Sequence, residues 1–349
     1  MRPIFDRLLG MAAGAALVLS STASFAADIA GAGATFPYPI YAKWAEAYKQ
    51  KTGIGLNYQS IGSGGGIKQI KAKTVTFGAS DMPLKPADLS AAGLLQFPAI
   101  IGGVVPVINV KGVGPGQLTL DGPTVAAIYL GDITMWNDAR IKKLNPRVAL
   151  PATAIAPVYR SDGSGTNFLF TNYLSAVNPK FAQSVGANTS VQWPVGIGAK
   201  GNEGVANQTT QTDGAIGYVE YAYAKQNNMA YVRMLNRAGK AVAPDARAFQ
   251  AAAANADWEH AEDYYVILTN QPGAGSWPIV GASFILVYKN PPDPAATTQA
   301  LKFFAWAYRN GSAMADQLDY VPVPAKLSGQ IEQTWKRKII ANGAPLWKG

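Results

Sequence analysis

The chain is predicted to be an α/β protein of two domains built on mostly parallel sheets. Three observations point there. Its 349 residues exceed what one hydrophobic core usually supports. Nearly half of them, 48%, are apolar and 15% are charged, a globular composition. Short strand-like runs alternate with helix-like segments along most of its length, the signature of α/β architecture.

Taken in order, Ala34 to Pro39 reads as a Gly/Pro-punctuated loop. Ile40, Tyr41, Trp44, Ala45 and Tyr48 recur at helical spacing, and Thr52-Gly53 closes that helix. Ile54 to Tyr58 is expected as a strand, Gly62 to Gly66 as a loop, and Ile67 to Ala72 as a short helix. Val75 to Ala79 is a second strand, broken at Asp81-Met82-Pro83. The valine-rich run from Ile100 to Val110 suits a buried strand. Ile155 to Tyr159 is a strand that runs through Arg160 to Thr166 into a helix carrying Phe168, Leu169, Tyr173 and Leu174. Phe284 to Tyr288 is a late strand. Ala295 to Asn310 is a helix opened by Pro294 and closed by Gly311, and Gln330 to Ala341 is the last helix.

The first 26 residues are expected to be a signal peptide rather than part of the fold. Arg2 and Arg7 precede a twelve-residue apolar run, Leu8 to Leu19, too short to span a bilayer, and Ser24-Phe25-Ala26 places small residues for cleavage after Ala26. The mature chain is then expected outside the cytoplasm, without a lipid anchor because no cysteine follows the cleavage point. The chain has no cysteine and a single histidine, His260, which excludes thiol catalysis, thiolate zinc sites and a disulfide framework and leaves little basis for a metal or a His-based relay. No cofactor is expected. The formal charge of +9 favours anionic partners without naming one.

Ala34-Thr35-Phe36, the run Gly62-Ser63-Gly64-Gly65-Gly66 and Ser164-Gly165-Thr166 each lead into a helix. Glycine allows close backbone approach, hydroxyls add donors, and a helix N-terminus carries partial positive charge, so such loops suit an anion. Ordinary N-capping explains any one of them equally well. Arg160 adds a planar fork of donors that fits a tetrahedral oxyanion, and Asp162 is placed to orient it, although a surface ion pair is the competing reading. Asp81 makes sense beside an anion that carries a proton, as phosphate does at neutral pH and sulfate does not; alternatively it caps a helix before Pro83.

Other motifs carry less. Gly196-Ile197-Gly198-Ala199-Lys200-Gly201 matches a dinucleotide fingerprint as text but follows Trp193-Pro194 and reads as a loop. Ser164 has no plausible base, since His260 sits among Trp258, Glu259 and Glu262 and reads as a surface residue. Lys68, Lys71 and Lys73 read as a solvated helix face, and Tyr218, Tyr221 and Tyr223 as core, so no nucleic acid is expected.

Four segments together, Gly31 to Pro37, Gly78-Ala79-Ser80-Asp81, Asp162 to Thr166 and Gly214 to Tyr221, resemble the periplasmic phosphate-binding proteins of ABC-type high-affinity phosphate uptake. The resemblance covers nearly the whole mature chain. It implies a two-lobed periplasmic binding protein fold, type II-like, with the ligand in the inter-domain cleft. Residues 27–102 with 277–349 would form domain I, and 103–276 domain II. It implies a non-enzymatic, monomeric binding protein that delivers inorganic phosphate to an inner-membrane ABC permease and its ATPase. The residues lining the anion would be Thr35, Phe36, Ser63, Asp81, Arg160, Asp162, Ser164, Gly165 and Thr166, with Ala34 bordering them through its backbone. Asp81 would accept the anion's proton, and Arg160 would be the only charged donor. Gly64 departs from the family pattern, where a second serine is common, but keeps its backbone N–H. The alternatives are a binding protein for another tetrahedral oxyanion and a secreted phosphatase; a basic polyanion binder would need clustered lysines, and here they are dispersed.

Overall fold

The structure, a computed structural model, describes residues 28–349, so the expected signal peptide and its cleavage point lie outside the described residues. The first segments are β1 (Ile29–Gly33), α1 (Tyr38–Thr52), β2 (Leu56–Ser60), α2 (Ser63–Lys71), β3 (Phe77–Ser80) and α3 (Pro86–Ala92); α1, β2 and β3 are expected from the sequence, whereas β1 and α3 are not. The long β4 (Leu94–Asn109) then leads to β5 (Thr119–Leu120), α4 (Gly122–Tyr129) and α5 (Ala139–Leu144). Next come β6 (Ala156–Arg160), α6 (Gly165–Val177), α7 (Pro179–Ser184), β7 (Ile197–Ala199), α8 (Gly201–Gln211), β8 (Ala215–Glu220) and α9 (Tyr221–Gln226). Short strands β9 (Ala230–Tyr231), β10 (Arg233–Leu235) and β11 (Ala241–Val242) precede α10 (Ala246–Ala253). The chain returns through β12 (Val280–Tyr288), α11 (Pro294–Asn310), α12 (Ser312–Asp316), β13 (Val321–Pro322) and α13 (Ala325–Lys338), and ends in a small hairpin.

One sheet runs β2-β1-β3-β12-β4-β8-β6-β7, with β9 and β13 also paired to β4. It is mixed, which corrects the expectation of mostly parallel sheets. β1 pairs in parallel with β2 and β3, and β6 with β7 and β8, but β12 is antiparallel to β3 and β4, and β4 to β8. The reason lies in how the chain crosses between the lobes: β4 leaves one lobe where β12 re-enters it, so the two run side by side in opposite directions. β4 is sixteen residues long and changes partner midway, from β12 up to Gly103 to β8 from Val104.

Helix boundaries follow local chemistry. Gly53 takes the left-handed conformation at φ 76° and ends α1 as the sequence predicts. Asp293 caps α11 through Ala296 N, with Pro294 at its first position. The Gly62–Gly66 run differs from the expected loop: α2 starts at Ser63, so the three glycines form its first turn. The third of them lets that turn lie against the backbone of β1 and β3, since a Cβ on Gly66 would meet Ala32 O and Ala79 O. The stretch read as a loop around Gly198 contains the edge strand β7, hydrogen-bonded to β6; its three residues are too few and too exposed to show a strand pattern. No helix among the described residues is long and apolar enough to cross a membrane.

Candidate functional site

Five segment ends from the two lobes meet at the C-terminal edges of their strands. One lobe brings the loop after β1, the start of α2 and the end of β3; the other brings the end of β6 and the start of α6. Ala34, Thr35, Phe36, Ser63, Asp81, Arg160, Ser164 and Thr166 are all buried there, none more than 3% exposed. The structure thus gathers the residues singled out from the sequence into one place. The lobes touch directly across it: Gly64 N donates to Gly163 O at 2.8 Å, and Gly165 N to Ser63 Oγ at 3.0 Å.

The backbone of the first loop is held by tyrosines. Tyr58 donates its hydroxyl to Ala34 O (2.7 Å), Tyr223 to Thr35 O (2.6 Å), and Tyr320 Oη lies 2.6 Å from Phe36 O. In a trans peptide the C=O and N–H point opposite ways, so drawing back the carbonyls of Ala34 and Thr35 turns the N–H groups of Thr35 and Phe36 the other way. Ala34 N itself donates to Ala79 O, so both its backbone groups are committed to the protein and the expected backbone contact from Ala34 does not fit. Gly64 N–H is likewise taken by Gly163 O, and a Cβ there would stand 3.1 Å from Gly163 Cα. Glycine at this position lets the lobes approach, but it supplies no free donor.

Arg160 and Asp162 form a bidentate pair, Nε to Oδ1 at 2.8 Å and Nη2 to Oδ2 at 2.6 Å, with the arginine side chain 1% exposed. This is the buried, oriented form rather than a surface pair. Burial alone would raise the Asp162 pKa, but the Arg160 fork and the Gly201 N–H (3.1 Å) outweigh it and hold the carboxyl below its usual value. Arg160 Nη1, buried, has no partner. Asp81 does not cap a helix, since α3 begins at Pro86 with Lys85 as its cap residue. Its Oδ1 is also buried and unpartnered, and Ser63 Oγ stands 3.5 Å from Oδ2. Burial pushes the Asp81 pKa up to about 7, against the opposing pull of the Ser283, Arg160 and Ser63 side chains.

Ser164 Oγ accepts from Asn167 N at 3.0 Å and caps α6, so this hydroxyl serves the helix N-terminus. Of the three first-turn amides, Ser63 takes Gly165 N and Ser164 takes Asn167 N, which leaves that of Thr166. His260 is exposed and paired with Asp257. Lys68, Lys71 and Lys73 are solvent-exposed. Tyr218 is buried as expected, but its hydroxyl also accepts from Arg160 N (3.1 Å) and donates to Asn167 Oδ1 (2.6 Å), fixing the end of β6.

The sequence reading missed Tyr58, Tyr320, Asn202 and Glu220. Glu220 is fully buried at the end of β8, where Oε2 accepts from Ala222 N and lies 2.7 Å from Tyr320 Oη. A phenol has one proton, yet Tyr320 Oη makes two short oxygen contacts, to Phe36 O and to Glu220 Oε2. That one proton is offered to both oxygens, and burial holds the Glu220 carboxyl well above the usual range. Only the segment Gly214 to Tyr221 hinted at this position, through family resemblance.

A family model described as a PBP superfamily domain matches residues 20–310. The phosphate-binding protein PstS of Pasteurella multocida is 53% identical over 93% of this chain and 94% of its own length. That of Xylella fastidiosa is 53% identical over 88% of this chain and 84% of its own. Among solved structures, a high-affinity periplasmic phosphate-binding protein, PfluDING, bound with phosphate, superposes with a TM-score of 0.71 at 21% identity, covering 91% of this chain and 96% of that one, and shares the fold. At these identities and coverages the chain belongs to the PstS phosphate-binding protein family, with its matched domain in the PBP superfamily.

Proposed function

We propose that this protein binds inorganic phosphate between its two lobes in the periplasm and delivers it to an ABC-type permease of the inner membrane and that permease's ATPase. The observation that carries the reading is a pair of buried, unpartnered atoms of opposite character at the seam: the Arg160 Nη1 donor and the Asp81 Oδ1 acceptor. Leaving either atom unsatisfied is costly in a dry interior. A tetrahedral oxyanion with one proton satisfies both at once, because its bare oxygens accept from Arg160 and its O–H donates to Asp81. The hydroxyls of Thr35, Ser63 and Thr166 and the amides of Phe36 and Thr166 complete the set of donors, while Asp162 and Ser164 orient the arginine and the helix start.

We assign residues 27–102 with 277–349 to one lobe and 103–276 to the other, since β4 changes partner between Gly103 and Val104. Donors from both lobes make the ligand favour the closed arrangement through differential contact. No bond is made or broken, and the protein acts as a monomer. Isothermal titration of the mature chain with phosphate and with sulfate tests the reading. Tight phosphate binding with sulfate excluded is expected; equal affinity for both, or none for phosphate, overturns it.

A further inference from the structure

Asn202 touches three parts of this site. It is the second residue of α8 and fully buried. Its Oδ1 accepts from Glu220 N at 3.0 Å, which fixes which way the amide faces. Its Nδ2 then reaches Thr35 Oγ1 at 2.6 Å in one lobe and Thr166 Oγ1 at 3.2 Å in the other, and its backbone N reaches Thr35 Oγ1 at 3.3 Å.

We propose that Asn202 is a positioning residue that sets the hydrogen-bond polarity of the anion site, a reading that rests on the proposed phosphate function. An amide nitrogen has two protons and no acceptor, so both threonine oxygens are obliged to accept from it. Thr35 Oγ1, with Asn202 N–H as a second donor, has both lone pairs filled. A hydroxyl whose oxygen is occupied in this way has its own proton left to give. Asn202 therefore turns Thr35 into a donor toward the site and, by taking one lone pair of Thr166 Oγ1, directs that hydroxyl's proton away from itself. Ser63 is treated alike by different groups: its Oγ accepts from Asp81 N (3.1 Å) and Gly165 N (3.0 Å).

The consequence is selectivity. With the Thr35 and Ser63 hydroxyls and a guanidinium obliged to donate, and Thr166 left one lone pair, Asp81 is the charged acceptor of the site and the place where an anion proton is best received. A more protonated or esterified oxyanion would set an O–H or an alkyl group against a donor, leaving that donor unpaired.

The test is calorimetric titration of the mature chain with inorganic phosphate at neutral pH for wild type, Asn202→Ala and Asn202→Asp, each also in a Thr35→Val/Thr166→Val background, with circular dichroism confirming the fold. Asn202→Ala is expected to weaken binding by about tenfold, the scale of a lost hydrogen bond. Asn202→Asp keeps the shape but accepts from both threonines, turning their protons away, and is expected to weaken it at least about tenfold further. That excess should vanish in the valine background, where there is no hydroxyl to invert. Equal loss for Ala and Asp, or an excess that survives in the valine background as plain charge repulsion, overturns the proposal. Neutron diffraction of the phosphate-bound wild type reads it without substitution: deuterons of Thr35 and Thr166 directed at the anion support it, and deuterons directed at Asn202 overturn it. A wild type that fails to bind phosphate sinks the functional reading and this inference together; a wild type that binds, with Ala and Asp variants alike, sinks this inference alone.

Discussion

Asp81→Asn separates two properties that one carboxyl combines. The carboxylate accepts a proton from the ligand and, having no proton of its own, repels a bare oxygen. An amide in its place offers a donor to any oxygen. Asp81→Asn is therefore expected to weaken phosphate binding far less than it weakens discrimination against sulfate, moving the phosphate-to-sulfate affinity ratio by roughly 10² or more, within the range reached when a buried polar site rejects a mismatched analogue. Competition calorimetry checks it, and an unchanged ratio would remove the proton-acceptor role. Arg160→Ala takes away the unpartnered Nη1 donor and strands Asp162 in a mostly buried setting, so phosphate affinity should fall by roughly 10²-fold or more; wild-type affinity in that variant would refute the assignment. The residues behind these two predictions were legible because their types announce chemistry: a carboxylate and a guanidinium at strand ends. Asn202 and Tyr320 were not. An asparagine after a glycine and a tyrosine before a Val-Pro pair look like turn and core residues, and only the folded arrangement shows what their polar atoms face.

At the scale of elements, the Ser/Gly/Thr loops were readable as helix starts because capping and close approach use the same residues. What one chain could not show was the partner of each glycine. Gly165 illustrates this. A Cβ there would meet Asp81 Cβ, Asp81 Oδ2 and Ser63 Oγ, all at 2.5 Å and all in the other lobe. Gly165 itself has ordinary helical backbone, and Ala is the better helix former, so Gly165→Ala should leave each lobe as stable as before or slightly more so. It should instead wedge the seam open. The expected outcome is a phosphate affinity lower by at least roughly 10²-fold, a loss of about 3 kcal/mol from contacts no longer made together, with thermal unfolding of the ligand-free protein unchanged. Wild-type affinity would mean that the lobes do not close at this point. Strand direction was misread at this same scale, since local apolar runs such as Ile100 to Val110 carry no record of whether the neighbouring strand arrives in parallel or returns from the far end of the chain.

For the molecule as a whole, the seam between the lobes holds two carboxyls that burial keeps protonated beyond their ordinary range, Asp81 with a pKa of about 7 and Glu220 well above its usual value. In the unfolded chain they titrate near 3.9 and 4.3. Below about pH 4 both are protonated in either state, and their contribution to stability is fully present. As pH rises past that point the unfolded chain releases these protons first and the folded chain keeps them, so the folded state binds more protons and loses stability by up to about 1.4 kcal/mol per pH unit for each group. For Asp81 the loss ends near pH 7; Glu220, held well above its usual range by burial and the nearby Asp319 against the pull of the Tyr320 hydroxyl, contributes a loss of the same sign. Asp162, held low by Arg160, acts in the opposite sense only at more acid pH. Urea unfolding of phosphate-stripped protein across this range should therefore show stability falling from weakly acid toward neutral pH. Asp81→Asn should flatten the curve up to pH 7, and Glu220→Gln should remove a further loss of the same sign. At neutral pH, phosphate at about a hundredfold its dissociation constant should restore about 2.7 kcal/mol in the wild type by mass action, and much less in Gly165→Ala, where the lobes cannot meet around it. A flat curve for the stripped wild type would mean that burial raises neither carboxyl's pKa, and the reading of Asp81 and Glu220 as groups that hold their protons at the seam would be lost.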